Sequence, residues 1–263
     1  MALKTNVYID GFNLYYGCLR RTPHRWLDLN ALCAALLPKN TIHRIRYFTA
    51  LVTPRPTDPQ QRTRQEVYLR ALRTIPNLTI HYGHFLASKT WMMRADGAGP
   101  IQVLKSEEKG SDVNIASHLL IDCYRSDCDV AVVLSNDSDL AFPIEHVKQH
   151  LGKIVGLLNP HKRPSQELVP LANFYKPIRP GALAACQFPS VMTDSNGTFH
   201  KPPTWWETSS EEGPLKERST WRGMRERLPA WWSRRLSIHD DVASESSSVP
   251  PCLSFLRSVC PHS

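Results

Sequence analysis

Residues 130–139 read VAVVLSNDSD, an unbroken apolar row that runs straight into polar and acidic residues. Such a row predicts a strand buried on both faces, which needs helices packed above and below it. A second run, KIVGLL (153–158), follows a helical stretch over 138–150. Upstream, NVYID (6–10) is a short apolar strand that ends at the turn signal Asp10-Gly11. Leu29, Leu32, Cys33, Leu36 and Leu37 recur at helical spacing behind the N-cap type Asp28, and Pro38 closes them. IRYFTALVT (45–53) is predicted as a strand, 61–74 as a basic helix and LTIHYGHFLA (78–87) as a third strand. IQVLK (101–105) reads as an edge strand, and 112–124 as a helix with Val113, Ala116, Leu119 and Leu120 on one face. A short helix over 165–172 precedes FYKPI. Strands alternating with helices of about 10–15 residues make βαβ units around a parallel sheet. In such sheets the ligand crevice lies beyond the carboxyl ends of the strands, where the strand order switches. Two strands here run into acids at that end: one at Asp10, the other at Asp137 and Asp139.

The rest of the chain bounds the function. At 263 residues it holds one large domain, or one domain with an appendage. Hydrophobic residues at 41% and charged residues at 21% support a packed core and exclude disorder throughout. No run approaches the roughly 18 apolar residues of a membrane span. The N-terminal MALKTNVYIDGFN lacks the features of a signal peptide, so a cytoplasmic location is expected. Seven scattered cysteines without a CxxC pair read as reduced thiols, and the histidines read mostly as surface residues.

The net charge of +8 is unevenly spread: residues 1–100 carry 14 Lys+Arg against 5 Asp+Glu, and residues 101–150 carry 4 against 9. A basic chain with one acidic block suits a metal-dependent enzyme that acts on a polyanion, although a solvated acidic helix face has the same composition. Three units are expected: residues 1–180 as the main domain, 181–206 as an extension packing on it, and 207–263 as a basic, Trp-rich tail without strand runs or helical period. That tail is irregular by composition and suited to touching RNA or a protein partner.

Three segments can carry chemistry: Asp10-Gly11-Phe12-Asn13, Glu108-Lys109-Gly110-Ser111-Asp112 and Ser135-Asn136-Asp137-Ser138-Asp139. Mg²⁺ and Mn²⁺ take oxygen ligands, commonly carboxylates, waters and phosphate oxygens. Four carboxylates gathered at one sheet edge repel one another unless a cation neutralises them. Singly, each motif also fits a turn or a helix cap. Ser135 and Ser138 suit a cap or a contact to a carboxylate or phosphate, and Lys109 a phosphate or a neighbouring acid. Arg62, Arg64, Arg70 and Arg73 recur along one helix, as a phosphate track or a solvated face. Tyr15, Tyr16 and Trp91 can stack on bases or pack in the core.

At YIDGFNLYYG (8–17), EKGSDVNIASHLL (108–120) and VVLSNDSDLAFPIEHVKQHLGKIVGLL (132–158) the chain resembles the NYN domain, the PIN-like nuclease group that includes the LabA-like proteins. The resemblance covers about residues 4–180 and extends to GTFHKPPTW. It implies a PIN-like three-layer α/β/α sandwich with a central, mainly parallel sheet, and a ribonuclease site dependent on Mg²⁺ or Mn²⁺. Carried over by position, Asp10, Asp112, Asp137 and Asp139 are the catalytic metal carboxylates, and Asn13 is the polar residue bordering them. Lys109, Ser135, Ser138 and Arg62 are candidates for substrate contact. One departure is Asn136, where many members have Gly. The expected activity is hydrolysis of RNA phosphodiesters by a metal-activated water. The alternative is a non-catalytic RNA- or protein-binding module with the same fold. Whether the chain pairs as a homodimer is left open by the sequence.

Overall fold

The computed structural model of the chain describes residues 2–205. The tail over 207–263 lies outside the described residues. The main sheet has six strands: β1 (Leu3–Asp10), β2 (Asn40–Thr49), β3 (Leu78–Tyr82), β6 (Val130–Leu134), β7 (Ile154–Asn159) and β8 (Phe174–Pro177), in the spatial order β3-β2-β1-β6-β7-β8. Every neighbouring pair is parallel. The chain builds outward from β1 to β3 and then returns to lay β6 against the other side of β1. The switch in strand order therefore falls between β1 and β6.

Period-two alternation divides the apolar residues between two cores. Val7 and Ile9, Val130, Val132 and Leu134 point into one. Helices α2 (Leu29–Leu36) and α3 (Gln61–Leu72) cover that face with Leu29, Leu32, Leu69 and Leu72. Tyr8, Ala131, Val133, Val155 and Leu157 point into the other, which α4 (Ser111–Tyr124) and α5 (Ala141–Gln149) cover with Ile115, Leu119, Ile144 and Val147. This is the PIN-like three-layer α/β/α sandwich around a parallel sheet. All five residues of β6 are buried, as its unbroken apolar row requires.

Residues 180–205 pack on the first core. They comprise α6 (Pro180–Ala185), the hairpin of β9 (Val191–Asp194) and β10 (Gly197–His200), and a short 3₁₀ turn at Pro203–Trp205. Trp26, fully buried, meets Tyr68, Phe188, Phe199 and Trp205 with ring centroids 5.9–6.4 Å apart. Its indole N–H donates to the Pro189 carbonyl at 2.8 Å. Arg70 of α3 clasps Asp194 through two hydrogen bonds of 2.6 and 2.8 Å.

Five local readings change. The strand expected over 45–53 stops at Thr49, because the Gln65 side chain takes over the backbone: it accepts from Val52 N–H and donates to the Ala50 carbonyl, both at 2.9 Å. The strand expected over 78–87 is two strands broken at Gly83. Beyond it β4 (His84–Met93) leaves the sheet and pairs antiparallel with β5 (Pro100–Lys109), so 101–105 belongs to a separate hairpin rather than to the sheet edge. On α4 the buried face carries Ile115, Leu119, Asp122 and Cys123, and Val113 is exposed. Asp122 is buried because the Arg46 guanidinium holds both its oxygens (2.6 and 2.8 Å) and the Tyr8 hydroxyl adds a third bond at 3.1 Å. The helix expected over 165–172 is only a 3₁₀ turn at Val169–Leu171, where Pro170 interrupts the donor row.

Candidate functional site

The site grows from the last residue of β1. Asp10 is buried at 5% exposure and ends the strand by capping α1 (Gly11–Leu14), its Oδ1 accepting from Asn13 N–H at 2.8 Å. Oδ2 accepts from the Ser135 hydroxyl at 3.2 Å, and the Ser135 Oγ accepts from the Asp137 N–H at 3.2 Å. The ends of β1 and β6 are thus tied through one serine at the switch point of the sheet. The Asn13 side-chain oxygen, Oδ1, accepts from Asn136 N–H at 3.1 Å and lies 2.9 Å from His161 Nε2. Asn136, the departure noted in the sequence, fixes the turn through its side chain: it donates to the Arg163 carbonyl (3.2 Å) and accepts from Ser165 N–H (2.7 Å). A glycine could make neither bond. Asp137 caps the 3₁₀ turn Ser138–Leu140 by accepting from Asp139 N–H at 3.1 Å.

The third segment arrives through the hairpin. Gly110, at φ +98°, turns the chain from β5 into α4 in a left-handed conformation that any side chain would strain. Glu108 accepts from the Ser111 hydroxyl at 2.9 Å, which secures the first turn and presents Asp112 from it. Asp10, Asp112 and Asp137 line one open cleft, with Glu108, Asn13 and His161 on its rim and Phe12, Tyr16 and Phe85 beside them.

The electrostatics fit this arrangement. Burial raises the Asp10 carboxyl, and the bonds from Asn13 and Ser135 partly offset that rise. Asp112 is pushed up to about 6, by burial first and then by the negative charges of Asp10, Asp137, Glu108 and Asp139. Asp139 is exposed and lies outside the cleft lining, and its influence reaches the site through charge.

The remaining sequence candidates are dispersed. Ser138 opens the 3₁₀ turn. Lys109 pairs with Glu107 at 3.3 Å. Arg62 pairs with Glu66 one turn on at 2.9 Å, Arg64 pairs with Asp58, Arg70 holds Asp194 and Arg73 donates to the Tyr82 hydroxyl at 2.7 Å. Trp91 is exposed on β4, and Tyr15 packs against the first core. Two rim residues were not singled out from the sequence. Glu108 stood inside a quoted segment with the capping spacing to Ser111 as its signal. His161 had no local signal, because only the β7 crossover brings it to Asn13.

Among the described residues no three His, Cys, Asp or Glu side chains are drawn together as a ready-made metal cage. The donor set nevertheless suits a hard divalent cation. Its donors are carboxylate oxygens, and Mg²⁺ commonly takes one or two of these and fills its shell with water and phosphate. Asp112 is raised by burial first and then by repulsion from its acidic neighbours, and such a cation would relieve the repulsion. Asp10, Asp112 and Asp137 are the residues that would hold the cation.

Residues 4–176 match the NYN domain family. The chain belongs to that family. This NYN protein is also 32% identical over 239 residues to a protein of Pseudomonas putida (strain DSM 28022 / S16) named 6-hydroxy-3-succinoylpyridine 3-monooxygenase HspA, an alignment that spans 78% of this chain and 76% of that one. Among solved structures it is similar to a Vibrio parahaemolyticus protein of unknown function, with a TM-score of 0.47 and 20% identity over 68% of this chain and 94% of the other. In this NYN domain no helix of the described residues is long and apolar enough to cross a membrane.

Proposed function

We propose that the acidic cleft hydrolyses RNA phosphodiester bonds with a bound Mg²⁺ or Mn²⁺. The observation that carries this reading is the convergence of Asp10, Asp112 and Asp137, from three distant segments, on one cleft at the strand-order switch. When bound, the cation would lower the pKa of a water and offset charge building on the phosphate. The chain's own groups have distinct tasks. Asp10 is locked by two donors and keeps one orientation. Asn13 and Ser135 hold the two strand ends at a fixed separation. Asp112, held above the usual carboxylate range by burial and by the neighbouring acids, is a ligand whose negative charge the cation would stabilise. RNA in the cytoplasm is the proposed substrate.

The reading is tested with labelled single-stranded RNA, Mn²⁺ or Mg²⁺, and chelator. Metal-dependent cleavage supports it. Salt-sensitive binding without turnover would instead identify a non-catalytic RNA-binding module.

A second reading rests on the Pseudomonas putida relative, whose name assigns it monooxygenation of a hydroxylated succinoylpyridine. At 32% identity over most of both chains, that activity is a direct candidate here. Incubation with 6-hydroxy-3-succinoylpyridine, O₂ and a nicotinamide reductant, followed by product mass, decides it. A hydroxylated product with no RNA cleavage would replace the nuclease reading.

A further inference from the structure

Beside the acidic cleft, with Phe12 and Tyr16 shared between the two walls, lies a second and more enclosed pocket of about 160 Å³. A cavity of this size holds a single aromatic ring. Its walls are largely aromatic: Tyr15, Tyr47, Tyr68 and Trp205 join Phe12 and Tyr16. Tyr47, Tyr68 and Trp205 are almost fully buried, so the floor is set by the core and is rigid. Tyr15 begins a π-helical turn (Tyr15–Leu19), a rare geometry that is frequent at functional sites and here aims two consecutive tyrosines along one wall.

The polar lining is not neutral. Two arginines and one aspartate face the pocket, and the aspartate, Asp58, is taken by Arg64. That leaves Arg25. Its guanidinium donates to the Thr22 and Thr204 carbonyls, both at 3.0 Å, and lies 5.6 Å from the Trp205 ring centre, but among the described residues no carboxylate is within ion-pair distance. Burial is the main influence opposing its charge; Tyr15 favours that charge and the nearby Arg64 opposes it. A half-buried cation without a counter-ion is costly, and an anion that enters the pocket would relieve that cost. The Gln61 side-chain oxygen, Oε1, on the same lining, is buried and has no hydrogen-bond partner among the described residues. It can accept from a ring N–H, a hydroxyl or an amine.

We infer that this pocket binds a small planar aromatic ring that carries an anionic group, with the ring among the tyrosines and Trp205 and the anion toward Arg25. Two sources share that chemistry: a free aromatic carboxylate, or a nucleotide whose base and phosphate are both engaged. The inference does not depend on cleavage in the acidic cleft, whose carboxylates do not line this pocket.

Calorimetric titration of the full chain with 4-hydroxybenzoate, uridine monophosphate, phenol and cyclohexanecarboxylate tests it. In the wild type at least one of the two aromatic anions should bind at least tenfold more tightly than phenol and cyclohexanecarboxylate. Arg25→Met should remove that advantage over phenol, and Val52→Trp, which fills the pocket from its lining, should abolish binding altogether. Because Arg25 also ties two backbone carbonyls, its variant is read only if its melting curve stays cooperative; otherwise Val52→Trp decides. A preference for 4-hydroxybenzoate identifies a site for free aromatic acids, and a preference for the nucleotide identifies a base subsite beside the cleft. Failure of both anions to bind, binding of phenol as tight as theirs, or unchanged binding in Val52→Trp would overturn the inference. RNA cleavage is measured on the same variants, so that loss of ligand binding with retained cleavage separates the two sites.

Discussion

At the scale of single residues the site is a set of carboxylates held in deliberate conflict. Asp112 sits above its usual range because it is partly buried and faces four other acids. A carboxyl raised in the folded state favours folding below its ordinary pKa, and that contribution is lost as pH rises through about 6. After allowance for solvent screening of a half-exposed group, the cost at pH 8 is roughly 1 kcal/mol. Asp112→Asn is therefore expected to raise Tm at pH 8 by about 2–4 °C in metal-free buffer and to leave it unchanged at pH 4. Equal melting at both values would show that the repulsion is absent. The same residue should govern the response to metal: added Mg²⁺ or Mn²⁺ is expected to raise the wild-type Tm more than that of Asp112→Asn. Asp10, Asp112 and Asp137 were legible through the joint family resemblance of three segments, since singly each also fits a turn or a helix cap. Asp139 was grouped with them by spacing, yet the turn that Asp137 caps leaves it outside the cleft lining. His161 was hidden, because its contact with Asn13 spans 148 positions and no local pattern encodes a crossover.

At the scale of elements, geometry depends on how each strand ends. The buried row at 130–134 and the strand closing at Asp10 were readable, because burial on both faces leaves a continuous apolar signature. The run over 78–87 was not divisible by pattern: alternation continues across Gly83 while the pairing partner changes from β2 to β5. Val113 misled for a related reason. The face of α4 is set by the buried Asp122–Arg46–Tyr8 network, which hydrophobic periodicity does not count. The turn from β5 into α4 is the element that delivers Asp112, and it depends on Gly110. Gly110→Ala should cost about 1–2 kcal/mol in urea denaturation through its left-handed backbone, and should lower activity by displacing Asp112. A variant as stable and active as wild type would show that the turn relaxes freely. A Cβ at Gly11 would approach the Phe48 carbonyl to 2.7 Å and the Tyr47 hydroxyl to 2.6 Å, so Gly11→Ala is expected to destabilise more.

At the scale of the molecule, two cores flank one sheet, and the segment 180–205 completes the first of them. Phe199 is buried there against Trp26 and beneath the Arg70 guanidinium. Phe199→Ala should lower stability by roughly 3 kcal/mol in a single cooperative transition. A loss below about 0.5 kcal/mol would show that the extension is not part of the fold. A chain ending at Trp206 keeps both cores and should melt as cooperatively as the full chain, with unchanged activity. Composition placed the boundary near 206 but could not disclose that Trp205 packs on Trp26, since that contact joins residues far apart in the sequence. The most direct test of the whole account compares cleavage of labelled single-stranded RNA by wild type and by Asp10→Asn with Asp137→Asn, in Mn²⁺, in Mg²⁺ and in chelator. The expected result is cleavage by wild type that requires the metal and falls at least about 100-fold in the double variant, with its circular dichroism unchanged. Cleavage that persists in the double variant or in chelator would contradict the assignment of the acidic cleft.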